Sequence, residues 1–372
     1  MTRQATTAVR GAPVMDQVPV TLITGFLGSG KTTLLSQLLQ HPGMTNTAVI
    51  INEFGEIGLD HLLLAKPRED TVLLSNGCLC CSAQGEMIDA LLSLTQDRIE
   101  GVIPEFDQVI IETTGLADPV QVMMPLLTEA GLCERYRLEN VVTVVDAVNV
   151  LLQVETYHEC VDQISAADQL LLSKVDLLEH YELDAIIERV QVMNPGAQLQ
   201  TMEHGEIDPD TILAGGPQGT TITEETVRDW LQVDRFENSH GNHDDGIRSF
   251  SLKHTAEISK LGFELWLDMI GSFRGPNLLR LKGIMNVEGS PVLIQAVQHL
   301  FQPPVHLEAW PDDDRTTRLV CITRGVSSED LEKSFEVFSV DVDELSVRAL
   351  LENESYRRLI EATNRIYNVV SN

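Results

Sequence analysis

A doubly wound, mostly parallel α/β sheet followed by a smaller α+β domain is the fold class that the sequence predicts. Three observations lead there. Short apolar runs recur from residue 18 onward, helical patterns separate them, and this alternation stops near residue 215. Near-continuous β-branched runs suit strands covered on both faces, and strand–helix alternation suits a parallel sheet.

Taken in order, the strands are 18–24 (VPVTLIT), 47–52 (TAVIIN), 71–75 (TVLLS), 107–112 (DQVIIE), 141–146 (VVTVVD) and 168–173 (DQLLLS). Helical stretches lie between them at 32–40, 84–96, 119–131 and 180–193. Residues 1–17 are polar, small and aperiodic, a flexible leader before a domain spanning 18–215. Paired glycines at 215–216, several acidic residues and the stretch SHGNHDD mark a linker over 216–246, with one short helix around 223–232. The second domain, 247–335, carries strands near 247–253, 278–287, 291–298 and 318–323 and a helix over 257–273. On that helix Leu261, Leu265, Trp266, Met269 and Phe273 recur at helical spacing and read as a core face. His299 and His306 read as structural, and Trp310 as packing. Residues 336–372 form a helical extension with Leu345, Leu350, Leu351, Leu359 and Ile360 as its stripe.

Composition narrows the function classes. The chain has 372 residues, 26 Lys+Arg against 56 Asp+Glu, and a net charge of -30. Such acidity argues against nucleic acid or an anionic membrane as partner. No apolar run reaches the roughly 18 residues of a bilayer span, and the leader lacks a signal-peptide core. Six cysteines, three of them Cys78, Cys80 and Cys81, do not suit a disulfide scaffold. A cytoplasmic, reducing location is the expectation.

Residues 25–32, GFLGSGKT, match the phosphate-loop pattern G-x-x-x-x-G-K-S/T, with the strand VPVTLIT before and a helix after. Glycines let consecutive N–H groups turn inward around phosphate oxygens; Lys31 can reach the β- and γ-phosphates, and Thr32 can ligate Mg²⁺. The domain is therefore expected to be a P-loop NTPase. Glu112 closes the strand VIIE, where an acid can hold Mg²⁺ through water or orient the attacking water, and Gly115 would let backbone approach the γ-phosphate. Ser173-Lys174-Val175-Asp176 follows a late strand. Asp176 there can accept two hydrogen bonds from guanine while the Lys174 stem packs along the base, which favours GTP over ATP.

The cysteines follow the strand TVLLS. Cys78 and Cys80 point the same way in an extended segment, and Cys81 can turn in to complete a thiolate set for a soft or borderline ion. Buried small side chains, or a C-x-x-C redox pair between Cys78 and Cys81, are the rival readings.

GFLGSGKTTLL, NEFGEIGLD (52–60), SNGCLCC (75–81), IIETTGLADP (110–119) and SKVD (173–176) occur in the order found in CobW-type GTPases, which the chain resembles. HLFQPPVHLEAWPDDDRTTRLVCITR (299–324) is similar to their C-terminal domain, so the resemblance runs from residue 18 to about 335. It implies a metallochaperone that hydrolyses GTP with Mg²⁺, handles Zn²⁺ or Co²⁺ at the CxCC thiolates and delivers the ion to a client metalloprotein. The catalytic residues are then Lys31 and Glu112, and the nucleotide contacts Gly25, Gly28, Ser29, Gly30, Lys31, Thr32, Thr33, Gly115, Lys174 and Asp176. Cys78, Cys80 and Cys81 would hold the transported metal. Glu53 and Glu56 of NEFGE would form a switch-like segment, with Glu56 a candidate extra ligand. Three departures stand out: Ser173 where Asn is common, Ile51 where some relatives carry Glu, and only His240 and His243 in place of a long His run. A nucleotide-gated zinc buffer or sensor, a cobalt-handling protein of cobalamin biosynthesis and a P-loop kinase are the alternatives. Asp176 and CxCC speak against the kinase. The client and the oligomeric state are open.

Overall fold

The computed structural model describes residues 17–52, 71–76, 83–213, 223–238, 246–272 and 277–339. Glu53, Glu56, Cys78, Cys80, Cys81, His240, His243, Phe273 and the extension beyond Ser339 lie outside these.

The first unit runs β1 (Val18–Thr24), α1 (Lys31–Leu38), β2 (Thr47–Asn52), β3 (Thr71–Asn76), α2 (Ala83–Ile99), β4 (Gln108–Glu112), α3 (Pro119–Thr128), α4 (Ala130–Cys133) and β5 (Tyr136–Asp146). It continues through α5 (Val150–Thr156), α6 (His158–Ala166), β6 (Gln169–Ser173), α7 (His180–Met193) and β7 (Gln198–Thr201). The seven strands lie in the order β3-β2-β4-β1-β5-β6-β7. Every pairing is parallel, where the sequence predicted a mostly parallel sheet. Leu34, Leu35 and Leu38 of α1 pack on one face with Ile110 and Val142, while Met87 and Leu91 of α2 and Met123 of α3 pack on the other with Val109 and Val141. Alternate strand residues therefore feed opposite layers, as β-branched runs require when both faces are covered.

Two differences from expectation have plain causes. Strand β5 begins at Tyr136 because Tyr136 and Leu138 alternate inward with Arg137 and Glu139, ahead of the continuous apolar run. Strand β7, Gln-Leu-Gln-Thr, has no apolar run because it is an edge strand with no buried residue.

Past β7 come α8 (Pro209–Leu213), α9 (Glu224–Leu231) and α10 (Val233–Asn238). The expected single short helix of the linker is thus two, and they are packed. Val227, Trp230, Leu231 and Phe236 are buried in one cluster with α6, α7 and residues of the second sheet.

That second sheet comprises β8 (Ile247–His254), β9 (Leu278–Val287), β10 (Ser290–Val297), β11 (Leu300–Phe301), β12 (Val305–His306) and β13 (Thr317–Arg324). It is antiparallel throughout, in the order β11-β10-β9-β13-β8, with β12 also on β10. The helix α11 (Lys260–Ser272) covers one face through Phe263, Trp266 and Ile270, with Leu261, Leu265 and Met269 packed alongside. Phe335 and Phe338 of a terminal 3₁₀ turn join it, and Trp266 Nε1 donates to Ser334 Oγ at 2.8 Å. A short helix, α12 (Ser328–Lys333), precedes that turn. The other face meets α6 and α7, so every residue of β9 is buried. Trp310 donates to Gly289 O at 2.9 Å and packs on this side, as expected of a packing residue.

Arg280 and Lys282 sit within β9 and need an anion. Both reach Asp168 just ahead of β6, Arg280 through a short hydrogen bond and Lys282 at 3.0 Å. Burial opposes the Asp168 charge, but the two cations outweigh it and hold its pKa below the ordinary carboxylate value. This triad joins the two sheets at the ends of the strands away from the phosphate loop.

Candidate functional site

Strand β1 lies between β4 and β5, and its C-terminal end opens into the phosphate loop, the position where open α/β sheets receive ligands. Gly25 is at φ 142° and a Cβ there would stand 2.2 Å from Val144 O, so only glycine fits. Gly28 and Gly30 are also at positive φ, 72° and 99°, which turns the loop into α1. Lys31 is buried, and its Nζ donates to Gly25 O at 2.7 Å and Phe26 O at 3.2 Å. The ammonium is folded over the loop that it is expected to share with phosphate. Thr33 is exposed in the same first turn of α1.

Glu112 ends β4 opposite Ile23 of β1 and is buried. Its Oε1 accepts from Thr32 Oγ1 at 3.0 Å. A hydroxyl and a carboxylate converging beside a phosphate loop are an all-oxygen donor set, which fits a hard cation such as Mg²⁺. Beyond Glu112, Thr113 is tied to β1 through Ile23 O and Thr24 Oγ1, both at 2.9 Å. Gly115 then crosses Leu27 so closely that a Cβ would meet its N and Cα at 2.7 Å. The neighbour that requires glycine here is the phosphate loop's own backbone.

On the far side of β1, Ser173 Oγ donates to Ser29 O at 2.6 Å and binds the end of β6 to the phosphate loop. A shorter side chain than the common Asn thus makes a direct tie. Lys174 follows at φ 60°, and its Nζ reaches Asp146 Oδ2 at 2.7 Å. Asp146, the last residue of β5, is buried and also accepts from Val148 N and Asn149 Nδ2. Asp176 stands exposed in the 3₁₀ turn Val175–Leu177. The lysine is held by a buried carboxylate, and the aspartate is open to solvent.

Asp146 belongs to no motif of the sequence, although VVTVVD ends a strand on an acid just as VIIE does. Gln163 on α6 belongs to none either; its Nε2 donates to Gly115 O at 3.2 Å and Ala117 O at 3.1 Å. Nothing in the sequence marks a helical glutamine for that role.

The CxCC cysteines and the glutamates of NEFGE lie outside the described residues, and the strands leading to them lie within. Asn52 pairs with Asn76 and Ile51 with Glu112, so β2, β3 and β4 end side by side. Among the described residues no group of three or more His, Cys, Asp or Glu could hold a metal. The described thiols suit the task poorly. Burial raises Cys160 to about 12 and pushes Cys321 higher still, and Cys133 is half-buried. No helix among the described residues is long and apolar enough to cross a membrane.

Residues 19–201 match the family described as CobW/HypB/UreG, nucleotide-binding domain, and residues 247–339 match the cobalamin synthesis protein cobW C-terminal domain. The zinc chaperone YjiA of Escherichia coli is 33% identical over 325 residues, covering 86% of this chain and 98% of that protein. The zinc-regulated GTPase metalloprotein activator 1 of Schizosaccharomyces pombe is 30% identical over 322 residues, 77% of each chain. Among solved structures, the Zn(II)-bound YjiA GTPase from E. coli superposes with a TM-score of 0.65 at 26% identity, covering 88% of this chain and all of that one. With both units matched in order and a relative matched over nearly its full length, the chain belongs to the CobW family of P-loop GTPases.

Proposed function

We propose that this protein hydrolyses GTP and uses its nucleotide state to load and release Zn²⁺ held by Cys78, Cys80 and Cys81, delivering the ion to a client metalloprotein. The observation that carries the reading is the shared register of β1 to β4. The phosphate loop, Glu112 and the segments holding NEFGE and CxCC all leave the sheet from neighbouring strand ends.

In the proposed reaction Lys31 leaves the Gly25 and Phe26 carbonyls for the β- and γ-phosphates. Thr32 and Glu112 would hold Mg²⁺, which when bound neutralises charge on those phosphates. Glu112 also orients water for attack on the γ-phosphorus; the new P–O bond forms as the bond to the β-phosphate oxygen breaks, leaving GDP and phosphate. Asp176 accepts from the guanine N–H groups, and Asp146 fixes the Lys174 stem along the base. Glu56 is the segment's candidate sensor of the γ-phosphate and extra ligand. Zinc is favoured over cobalt because a thiolate site binds Zn²⁺ more tightly than Co²⁺. Support also comes from the relatives named as zinc chaperones and from a Zn(II)-bound structural neighbour.

Competition of GTP against ATP on the full chain tests the nucleotide half. GTP should win by a wide margin, and Asp176→Asn should remove most of that preference, since a charge-assisted hydrogen-bond pair contributes about 1.5–3 kcal/mol. Lys31→Ala should stop turnover in a folded protein. Equal binding of GTP and ATP by the intact chain would refute the base-reading assignment.

A further inference from the structure

Helix α6 touches both the nucleotide end of the first sheet and the second sheet. On its inner side, the fully buried Gln163 holds two carbonyls of the β4–α3 loop, those of Gly115 and Ala117. Its backbone is fixed too, since Thr143 Oγ1 of β5 donates to Gln163 O at 2.7 Å. The loop so held is the one that presses Gly115 against Leu27 of the phosphate loop. The neighbouring residue faces the other way. Asp162 Oδ1 accepts from Arg324 Nη2 at 2.9 Å, and Arg324 is the last residue of β13.

Other contacts run along the same helix. Cys160, Val161 and Ile164 share a core cluster with Ile247, Val320 and Ile322 of the second sheet. Asp118, which caps α3 at the end of the β4–α3 loop, lies within electrostatic reach of His299 from the β10–β11 turn and of His158 on α6. Burial raises Asp162, and the Arg324 guanidinium opposes that rise. The Gln163 side chain has one unused feature, a buried Oε1 without a hydrogen-bond partner among the described residues. A small shift of the loop could offer it a backbone N–H without dismantling the helix.

We propose that the Asp162–Arg324 pair and Gln163 form a link through which the second sheet sets the position of the Gly115–Ala117 backbone, and with it the rate of hydrolysis at the phosphate loop. Gln163 acts as a positioning residue, and Arg324 as the point where the C-terminal domain holds the helix that carries it. The consequence for rate rests on the GTP hydrolysis proposed above; the link itself does not.

Hydrogen exchange on the full chain without nucleotide tests the link directly. In Arg324→Gln, the amides of residues 114–117 should exchange faster by roughly 2–30-fold, the range for substitutions along such a network. Arg324→Lys, which keeps the charge, should restore most of the protection, and the amides of β6 should not change. Arg324 is partly exposed, so this variant is expected to fold. Unchanged exchange at 114–117 in Arg324→Gln would overturn the proposal. Kinetics supply the second arm. Arg324→Gln and Gln163→Met should each lower kcat with GDP affinity kept, and the double variant should be no slower than the slower single one. Strictly additive losses would overturn the link. A wild-type chain that turns over no GTP would instead contradict the proposed function, leaving the exchange result to decide the link.

Discussion

Adding one methyl group at Gly115 measures how tightly the β4–α3 loop is seated on the phosphate loop. The new Cβ would lie 2.7 Å from N and Cα of Leu27. Carbon atoms settle at about 3.5–4.0 Å, so the two loops must part by roughly 0.8 Å or more. Leu27 Cδ2 could rotate away, but the other two atoms met are backbone, so no rotamer change relieves the overlap. Gly115 is not among the positive-φ glycines, so space alone excludes alanine. Overpacking of this kind costs about 1–3 kcal/mol. Taken up by the phosphate loop, that strain lowers nucleotide affinity roughly 5–150-fold. Titration with a fluorescent, non-hydrolysable GTP analogue reads the loss, beside a thermal unfolding curve. Gly131→Ala is the control, because its nearest foreign atom is Leu92 Cδ2 at an ordinary 3.4 Å. A Gly115→Ala protein that binds the analogue as tightly as the wild type would refute the reasoning.

Three further outcomes are expected. Asp146→Ala frees Lys174 and should weaken GTP by about 10–150-fold, while inorganic tripolyphosphate, which has no base, binds as before; calorimetry with both ligands checks this. Asp168→Asn strips the buried Arg280 and Lys282 of their anion and should cost about 3–5 kcal/mol in denaturant unfolding. The intact triad gives the matching pH dependence: because the Asp168 pKa is depressed, its stabilisation is complete above the ordinary carboxylate value of about 4 and is lost as pH falls below that. An acid unfolding curve identical in wild type and Asp168→Asn contradicts this. Serine at Cys78, Cys80 and Cys81 together should abolish the thiolate-to-Co²⁺ charge-transfer band while leaving GTP binding measured without Zn²⁺ or Co²⁺ unchanged, and a variant that keeps the band would move the metal site elsewhere.

How much of this was legible in the sequence follows from where the forces lie. VPVTLIT, DQVIIE and VVTVVD announce strands because each is buried on both faces, and GFLGSGKT announces its loop because three of its glycines need positive φ. Strand β7 was illegible for the complementary reason that an edge strand with no fully buried residue can be mostly polar. Lys31, Thr32 and Glu112 stand out in the sequence because phosphate and Mg²⁺ chemistry would constrain residue type at fixed positions, and the fold brings Thr32 and Glu112 into contact. Gln163 does not stand out, since its partners Gly115 and Ala117 are 48 and 46 residues away and any donor of that length could have served. Residues 216–246 looked loose from their glycines and acids, yet Trp230 and Phe236 are held in a core that only the second sheet completes. Local pattern reveals what one element must be, and the contacts between elements need the fold.

Whether nucleotide state changes the hold on zinc is the question on which the account turns. The direct measurement is a Zn²⁺ titration of the full chain against a chelator of known affinity, run once with Mg²⁺ and a non-hydrolysable GTP analogue and once with Mg²⁺ and GDP. Zinc should bind more tightly in the triphosphate state by roughly 5–150-fold, with zinc raising analogue affinity by the same factor, as linkage requires. Equal zinc affinities in the two states would contradict this.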